Sequence, residues 1–302
     1  MQAEAPASGR GAQPGARNAL PCGIVRPARR PAGWRAPGPP PAAPGDRPDL
    51  LPGPGEDLCF LAGDWRILQL VRGQRWSLDD LVTAWFAAEQ RRGRPPRRLA
   101  DLGCGIGAVL MLLAWRFPGA GGVGVEAQAV SVGLARRSLA WNGAAQRCEV
   151  RHGDLRDPGA LPEVAGFDLV TATPPYLPPG TASESARAQV DACHVERRGG
   201  VEAYCAAAAR LLAPGGTFVT CAASGLARRV EAGAAAAGLA LLRRREVIPR
   251  AGKGSLFAVW ALAPEREGIA ATIVEPPLVV RDARGRWSDE FRALRAAMGM
   301  PS

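Results

Sequence analysis

The stretch Asp101-Leu102-Gly103-Cys104-Gly105-Ile106-Gly107 decides how this chain is read. A short apolar run, Arg98 to Leu102, leads into three glycines spaced two apart, and Ala108 to Arg116 then reads as a helix. Glycine permits a tight turn and lets a ligand approach the backbone closely. The helix start beyond it offers unsatisfied N–H groups. The spacing is G-x-G-x-G, not the G-x-G-x-x-G of dinucleotide binders, and an acid stands two residues before the first glycine. Taken alone, such a loop is as often a plain turn, so its surroundings have to decide.

Downstream, short β runs alternate with alanine-rich helical stretches. Gly121 to Glu126, Cys148 to His152, Phe167 to Thr171 and Gly216 to Cys221 read as strands. Ala129 to Asn142, Val201 to Leu212 and Leu226 to Ala237 read as helices. Two last strands, Leu239 to Ile248 and Leu256 to Leu262, follow with no helix between them. This alternation predicts an α/β fold: a doubly wound, Rossmann-like sheet of seven strands, mostly parallel, with an antiparallel strand at one edge. Upstream, Asp64 to Leu70 reads as a strand, and Ser77 offers an N-cap with Asp79 and Asp80 in the first helical turn.

Three segments follow from composition. Residues 1–56 are rich in Pro, Gly, Ala and Arg, with seven Arg against four acids and no hydrophobic periodicity. They are expected to be disordered, with an organellar targeting signal as the alternative. Residues 57–268 form the main domain, and 269–302 a strand-turn-helix tail packed on it. The chain carries a net charge of +10, almost all of it arginine. That suits a polyanionic partner, although a GC-rich genome gives the same bias. No run reaches the roughly 18 apolar residues of a membrane span, so a soluble, intracellular, cytoplasmic protein is expected. The seven cysteines include no C-x-x-C, and His152 and His194 lie far apart, so neither a disulfide framework nor a metal site is predicted.

Two more acids follow the glycine loop at strand ends. Glu126 closes the second strand and is placed to accept ribose hydroxyls. Asp154 follows the third strand, placed to accept an adenine amino group with Leu155 packed on the ring. All three acids fall on the carboxyl edge of the sheet, where open α/β sheets bind ligands. In this order the chain resembles a class I S-adenosylmethionine-dependent methyltransferase from about Trp65 to Ala263. The resemblance implies S-adenosyl-L-methionine as cofactor, held by Asp101, Gly103, Gly105, Gly107, Glu126, Asp154 and Leu155.

The fourth strand ends in Thr173-Pro174-Pro175-Tyr176. In the methyltransferases, an Asn/Asp/Ser-Pro-Pro-aromatic loop at this place marks enzymes that methylate planar nitrogen. There the first side chain and a proline-flanked carbonyl bind the amino N–H groups, and the aromatic ring stacks on the substrate. The resemblance makes these four the catalytic residues. Threonine is a departure: its hydroxyl can accept or donate. Gly73-Gln74-Arg75-Trp76-Ser77-Leu78-Asp79 and the tail Pro277 to Phe291 are similar to the bacterial-type tRNA (adenine-N6) methyltransferases, and Asp79 is carried over as a cofactor-closing residue.

The reading implied is methyl transfer to an exocyclic amino nitrogen, adenine N6 of tRNA or another structured RNA, with no metal or base required. The RNA contacts are expected from Arg-rich loops: Arg91 to Arg98, Arg197-Arg198, and the cluster Arg243, Arg244, Arg245, Arg250 and Lys253. Methylation of protein glutamine amides and a catalytically weak RNA-binding or partner subunit are the alternatives.

Overall fold

The structure, a computed structural model, describes residues 23–176, 196, 199–266 and 271–302. Residues 1–22, Arg197-Arg198 and His194 therefore lie outside the described residues.

Three strands form a small sheet: β1 (Ile24–Val25), β2 (Glu56–Ala62) and β3 (Trp65–Leu70), with β1 parallel and β3 antiparallel to β2. Helix α1 (Leu78–Gln90) follows, opened by a capping box between Ser77 and Asp80. The main sheet then alternates with helices: β4 (Arg98–Leu102), α2 (Ala108–Arg116), β5 (Gly121–Glu126), α3 (Ala129–Trp141), β6 (Cys148–His152) and β7 (Phe167–Ala172). After β7 come α4 (Val201–Leu211), β8 (Leu212–Ala223), α5 (Ala227–Ala236), β9 (Leu239–Ile248), β10 (Phe257–Pro264), β11 (Ile273–Val279) and α6 (Asp289–Ala297).

The main sheet has eight strands in the order β11-β9-β10-β8-β7-β4-β5-β6. Only β10 runs against the others. The expected antiparallel strand is thus present, inserted between β8 and β9 towards one edge of the sheet. The eighth strand is β11, from the tail, which pairs in parallel with β9. Its Pro276 and Pro277 coincide with a break in register between Glu275 and Leu278. Proline donates no ladder bond, so it is tolerated on such an outermost strand.

Helices cover both faces. Side chains from α1, α2, α3 and α6 form one buried cluster, and those from α4 and α5 the other. The central strands are apolar on both sides, as a sheet covered by helices on both faces requires. From β4 the chain winds one way to β5 and β6. The other half of the sheet begins at β7, so a topological switch point lies between β4 and β7. Among the described residues no helix is long and apolar enough to cross a membrane.

The expectation of disorder for residues 1–56 is overturned from residue 23 onward. β1 pairs with β2, and Arg26 Nη2 donates to Asp57 at 2.6 Å. Ala43 N donates to the Trp141 carbonyl at 2.9 Å. Arg137 donates to the carbonyls of Asp49 and Leu51 and to both Glu56 carboxylate oxygens. The segment has almost no apolar face of its own. It is ordered by backbone and ion-pair contacts to α3, β2 and their neighbours, which a local reading of composition does not reveal.

Candidate active site

The carboxyl ends of β4, β5, β6 and β7 bring the glycine loop, Glu126, Asp154 and the Thr173–Tyr176 loop to one edge of the sheet. Gly103, Gly105 and Gly107 have φ of +60°, +54° and +84°, the left-handed region that disfavours side chains. A Cβ at Gly103 would lie 2.7 Å from the Tyr204 hydroxyl, and one at Gly105 would lie 2.9 Å from Gln74 Oε1. These glycines form a cradle roofed by Tyr204 of α4 and Gln74 of the segment before α1.

Glu126 fixes the cradle. Its carboxylate accepts the N–H of Gly105 at 3.0 Å and that of Gln128 at 2.7 Å. Asp101 is a brace: it accepts the Thr171 hydroxyl at 2.8 Å and the Leu110 N–H at 3.2 Å, tying β4 to β7 and to the first turn of α2. Burial pushes its carboxyl up to about 7, against the lowering effect of those two donors. Asp154 receives Arg156 through Nε at 2.9 Å and Nη2 at 2.7 Å, and Leu155 is buried in the α4–α5 cluster.

The β7 loop meets the start of α1. Tyr176 donates its hydroxyl to Asp79 Oδ2 at 3.0 Å and also lies 3.0 Å from Cys221 Sγ. Asp79 is held by the Ser77 hydroxyl and the Asp80 N–H. Asp80 accepts Ser77 N at 3.0 Å, and the nearby Thr173 side chain slightly opposes the rise of its carboxyl. Burial, then the charge of Asp79, drives the Asp80 carboxyl well above the usual carboxylate range.

The basic loops are distributed unequally. Arg91 to Arg98 precedes β4, so it lies at the amino end of the sheet, opposite these residues. Arg91 is buried and donates to the Gly215 carbonyl, and Arg92 pairs with Glu89. Arg243, Arg244 and Arg245 pair with Glu275, Glu246 and Glu290. Arg250 and Lys253 sit on the turn between β9 and β10, on the same edge as the cradle. Among the described residues no group of three or more His, Cys, Asp or Glu could hold a metal ion.

The model of one protein family, the methyltransferase small domain, matches residues 85–230, which run from α1 through the cradle and the β7 loop to α5. Over these residues, just under half of the chain, the sequence is similar to the methyltransferase small-domain family.

The methyltransferase domain has several kinds of relative. It is 27% identical over 216 residues to a tRNA1(Val) (adenine(37)-N6)-methyltransferase of Porphyromonas gingivalis, covering 70% of this chain and 82% of that protein. It is 34% identical over 179 residues to the release factor glutamine methyltransferase of Bradyrhizobium diazoefficiens, covering 54% of this chain and only 57% of that one. A predicted O-methyltransferase from Agrobacterium tumefaciens shares the fold at a TM-score of 0.57 and 20% identity, over 74% of this chain and 98% of its own.

The residues of the methyltransferase domain fit S-adenosylmethionine. The side-chain-free cradle leaves room for the methionine part, and carboxylates at 79, 101, 126 and 154 suit its cationic amino and sulfonium groups. Two residues of the site escaped sequence reasoning. Gln74 belonged to a segment read only through Asp79. Tyr204 stood only within the Val201 to Leu212 helix and drew no reading of its own, although it and Tyr176 are the chain's only tyrosines, and both reach the site.

Proposed function

We propose that the methyltransferase domain methylates a planar exocyclic amino nitrogen, adenine N6 of tRNA or another structured RNA, from S-adenosylmethionine. What carries the reading is the place of Thr173-Pro174-Pro175-Tyr176: it ends β7, across the switch point from the glycine cradle, with Tyr176 bonded to Asp79. S-adenosylmethionine supplies a methyl group already activated on a positively charged sulfur, so the protein contributes position and charge.

Glu126 holds the ribose hydroxyls, Asp154 accepts the adenine amino group, and Gly103, Gly105 and Gly107 admit the methionine part. The Thr173 hydroxyl oxygen carries lone pairs that accept an N–H of the target. The carbonyl of Pro174 accepts the other N–H, fixed by its proline ring. Both contacts aim the nitrogen lone pair at the methyl group. The Tyr176 ring lies flat on the target base. After transfer the nitrogen releases its surplus proton to water. Such RNA sets the activity inside the cell.

The experiment is transfer of a radiolabelled methyl group to bulk RNA, DNA and protein. Label in RNA is expected. Label in protein alone replaces the RNA reading with methylation of a glutamine amide, which offers the same planar N–H pair.

A further inference from the structure

We propose that a second cavity, beside the segment that roofs the cradle, binds a single-stranded phosphodiester stretch of the substrate; this rests on the RNA reading above. The cavity has a volume of about 720 Å³, a size that suits one or two nucleotides and not a duplex. It lies where the chain after β1, the β2–β3 hairpin and the turn after α6 converge.

Its wall is basic. Arg26, Arg29, Arg30, Arg75 and Arg295 line it, and no Asp or Glu does. Asp57 pairs with Arg26 and Arg75, and Asp64 with Arg30, so the carboxylates offset only part of the charge of five guanidiniums and the wall stays net positive. Arg29 is exposed and makes no ion pair or hydrogen bond among the described residues. Guanidinium forks of this kind match phosphate oxygens.

Aromatic rings alternate with these charges. The Arg30 guanidinium lies 5.0 Å from the Trp34 ring centre and 4.6 Å from that of Phe60. Arg295 lies 3.9 Å from the Trp287 ring centre. Stacking of this sort holds a guanidinium in one orientation while its edge N–H groups stay available. Rings for unstacked bases and arginines for the backbone are together the means by which proteins hold single strands. The cavity beside the 91–98 loop is smaller, about 460 Å³, and holds a single ring, Phe117, with Arg116 at 5.6 Å from its centre, and the cavity that holds Arg244 has no ring.

The cavity connects to the active site through three consecutive residues. Gln74 reaches the cradle at Gly105. Arg75 turns the other way, donating to Asp57 at 3.1 Å, and lines the cavity together with Trp76. A strand bound there runs beside the residues that cover the methyl donor, so the cavity holds nucleotides flanking the target base.

The test uses the full chain, a fluorescent single-stranded uridine oligonucleotide, and anisotropy over a salt series. Arg29→Glu should weaken binding about tenfold and reduce the salt slope by at least about 0.7, the value of one single-strand phosphate contact. Arg94→Glu, an equal charge change at the opposite sheet edge, should alter binding less than about twofold. Cofactor affinity by calorimetry should stay the same in both variants. With 4-thiouridine RNA, cross-links should map to the peptides holding Trp34 and Trp287. Equal weakening by Arg29→Glu and Arg94→Glu overturns the cavity in favour of diffuse charge, as does no weakening by either. Wild-type methylation of RNA with an unchanged KM in Arg29→Glu removes the cavity alone and leaves the RNA reading standing. Wild-type labelling of protein only, with no oligonucleotide bound, removes both. A raised KM in Arg29→Glu for a protein acceptor marks the cavity as a protein groove and also overturns the proposal.

Discussion

The Tyr176 hydroxyl donates to the Asp79 carboxylate across 3.0 Å, joining the end of β7 to the first turn of α1 over 97 residues of chain. This bond links the loop that would hold the methyl acceptor to the segment that would cover the methyl donor. Tyr176→Phe keeps the ring and removes the link. A hydrogen bond to a charged group contributes about 1.5–3 kcal/mol, so kcat/KM for the acceptor should fall roughly tenfold or more, with little change in cofactor affinity. Tyr176→Ala also loses the stacking face and should fall further. A Phe variant as active as the parent enzyme would show that the link is idle.

Glu126 holds two backbone N–H groups of the cradle and is also the proposed ribose ligand. Glu126→Ala removes both functions, and by the same hydrogen-bond magnitude the affinity for S-adenosylmethionine should drop more than about a hundredfold. Glu126→Gln, which keeps one acceptor, should lose less. Isothermal calorimetry reads both, and unchanged affinity in the Ala variant means that the ribose lies elsewhere.

Asp101 ties stability and binding to pH. Its folded carboxyl titrates at about 7, against 3.8 for an ordinary aspartate, and Asp80 is raised as well. A raised carboxyl favours the folded state while it is protonated. That contribution is complete below about pH 4 and is lost as pH climbs through about 7. Free protein should therefore melt at a lower temperature at about pH 8 than at about pH 5.5. A cationic cofactor favours the ionised carboxylate, so its affinity should rise over the same range, with proton release seen by calorimetry in buffers of different ionisation heat. Asp101→Asn should flatten the profile, and proton uptake on binding would contradict the assignment.

Thr173→Asn tests the departure at the β7 loop. Asparagine can give N–H to Asp80 and still present a carbonyl oxygen to the target, a better acceptor than the threonine hydroxyl. A several-fold gain in kcat is expected in single-turnover measurements. A loss would mean that the methyl of Thr173 shapes the pocket for a different acceptor.

Arg137→Ala tests whether residues 23–56 belong to the domain. It removes the contacts to Asp49, Leu51 and Glu56, yet the side chain is partly exposed, which discounts the ion pair. A loss of about 1–2 kcal/mol is expected, or roughly 2–8 °C in Tm for a chain of this size. An unchanged melting curve would show that the extension adds nothing to stability.

The alternating strands and helices, the cradle and the strand-end acids were legible because each rests on residues close together in sequence. Hydrophobic period, glycine spacing and the rule that ligands gather at strand carboxyl ends need only local information. The strand of the tail was expected, but its place as an eighth strand of the main sheet was not, and only that outermost position accommodates its two prolines.

By itself, the sequence determined the doubly wound fold and the chemistry brought to its carboxyl edge. Strand and turn preferences act over a few residues, and the motif order then leaves one arrangement. Tertiary structure alone decided the rest: that Asp101 braces the frame, that Gln74 and Tyr204 roof the cradle, and that the extension is ordered from residue 23. It also decided which arginines stay available, since Arg243, Arg244 and Arg245 are paired with acids while Arg29 is open. Composition counts these charges alike. Their partners stand as far apart in the chain as Arg137 and Glu56, 81 residues, and no local pattern records a pairing made only when the sheet closes.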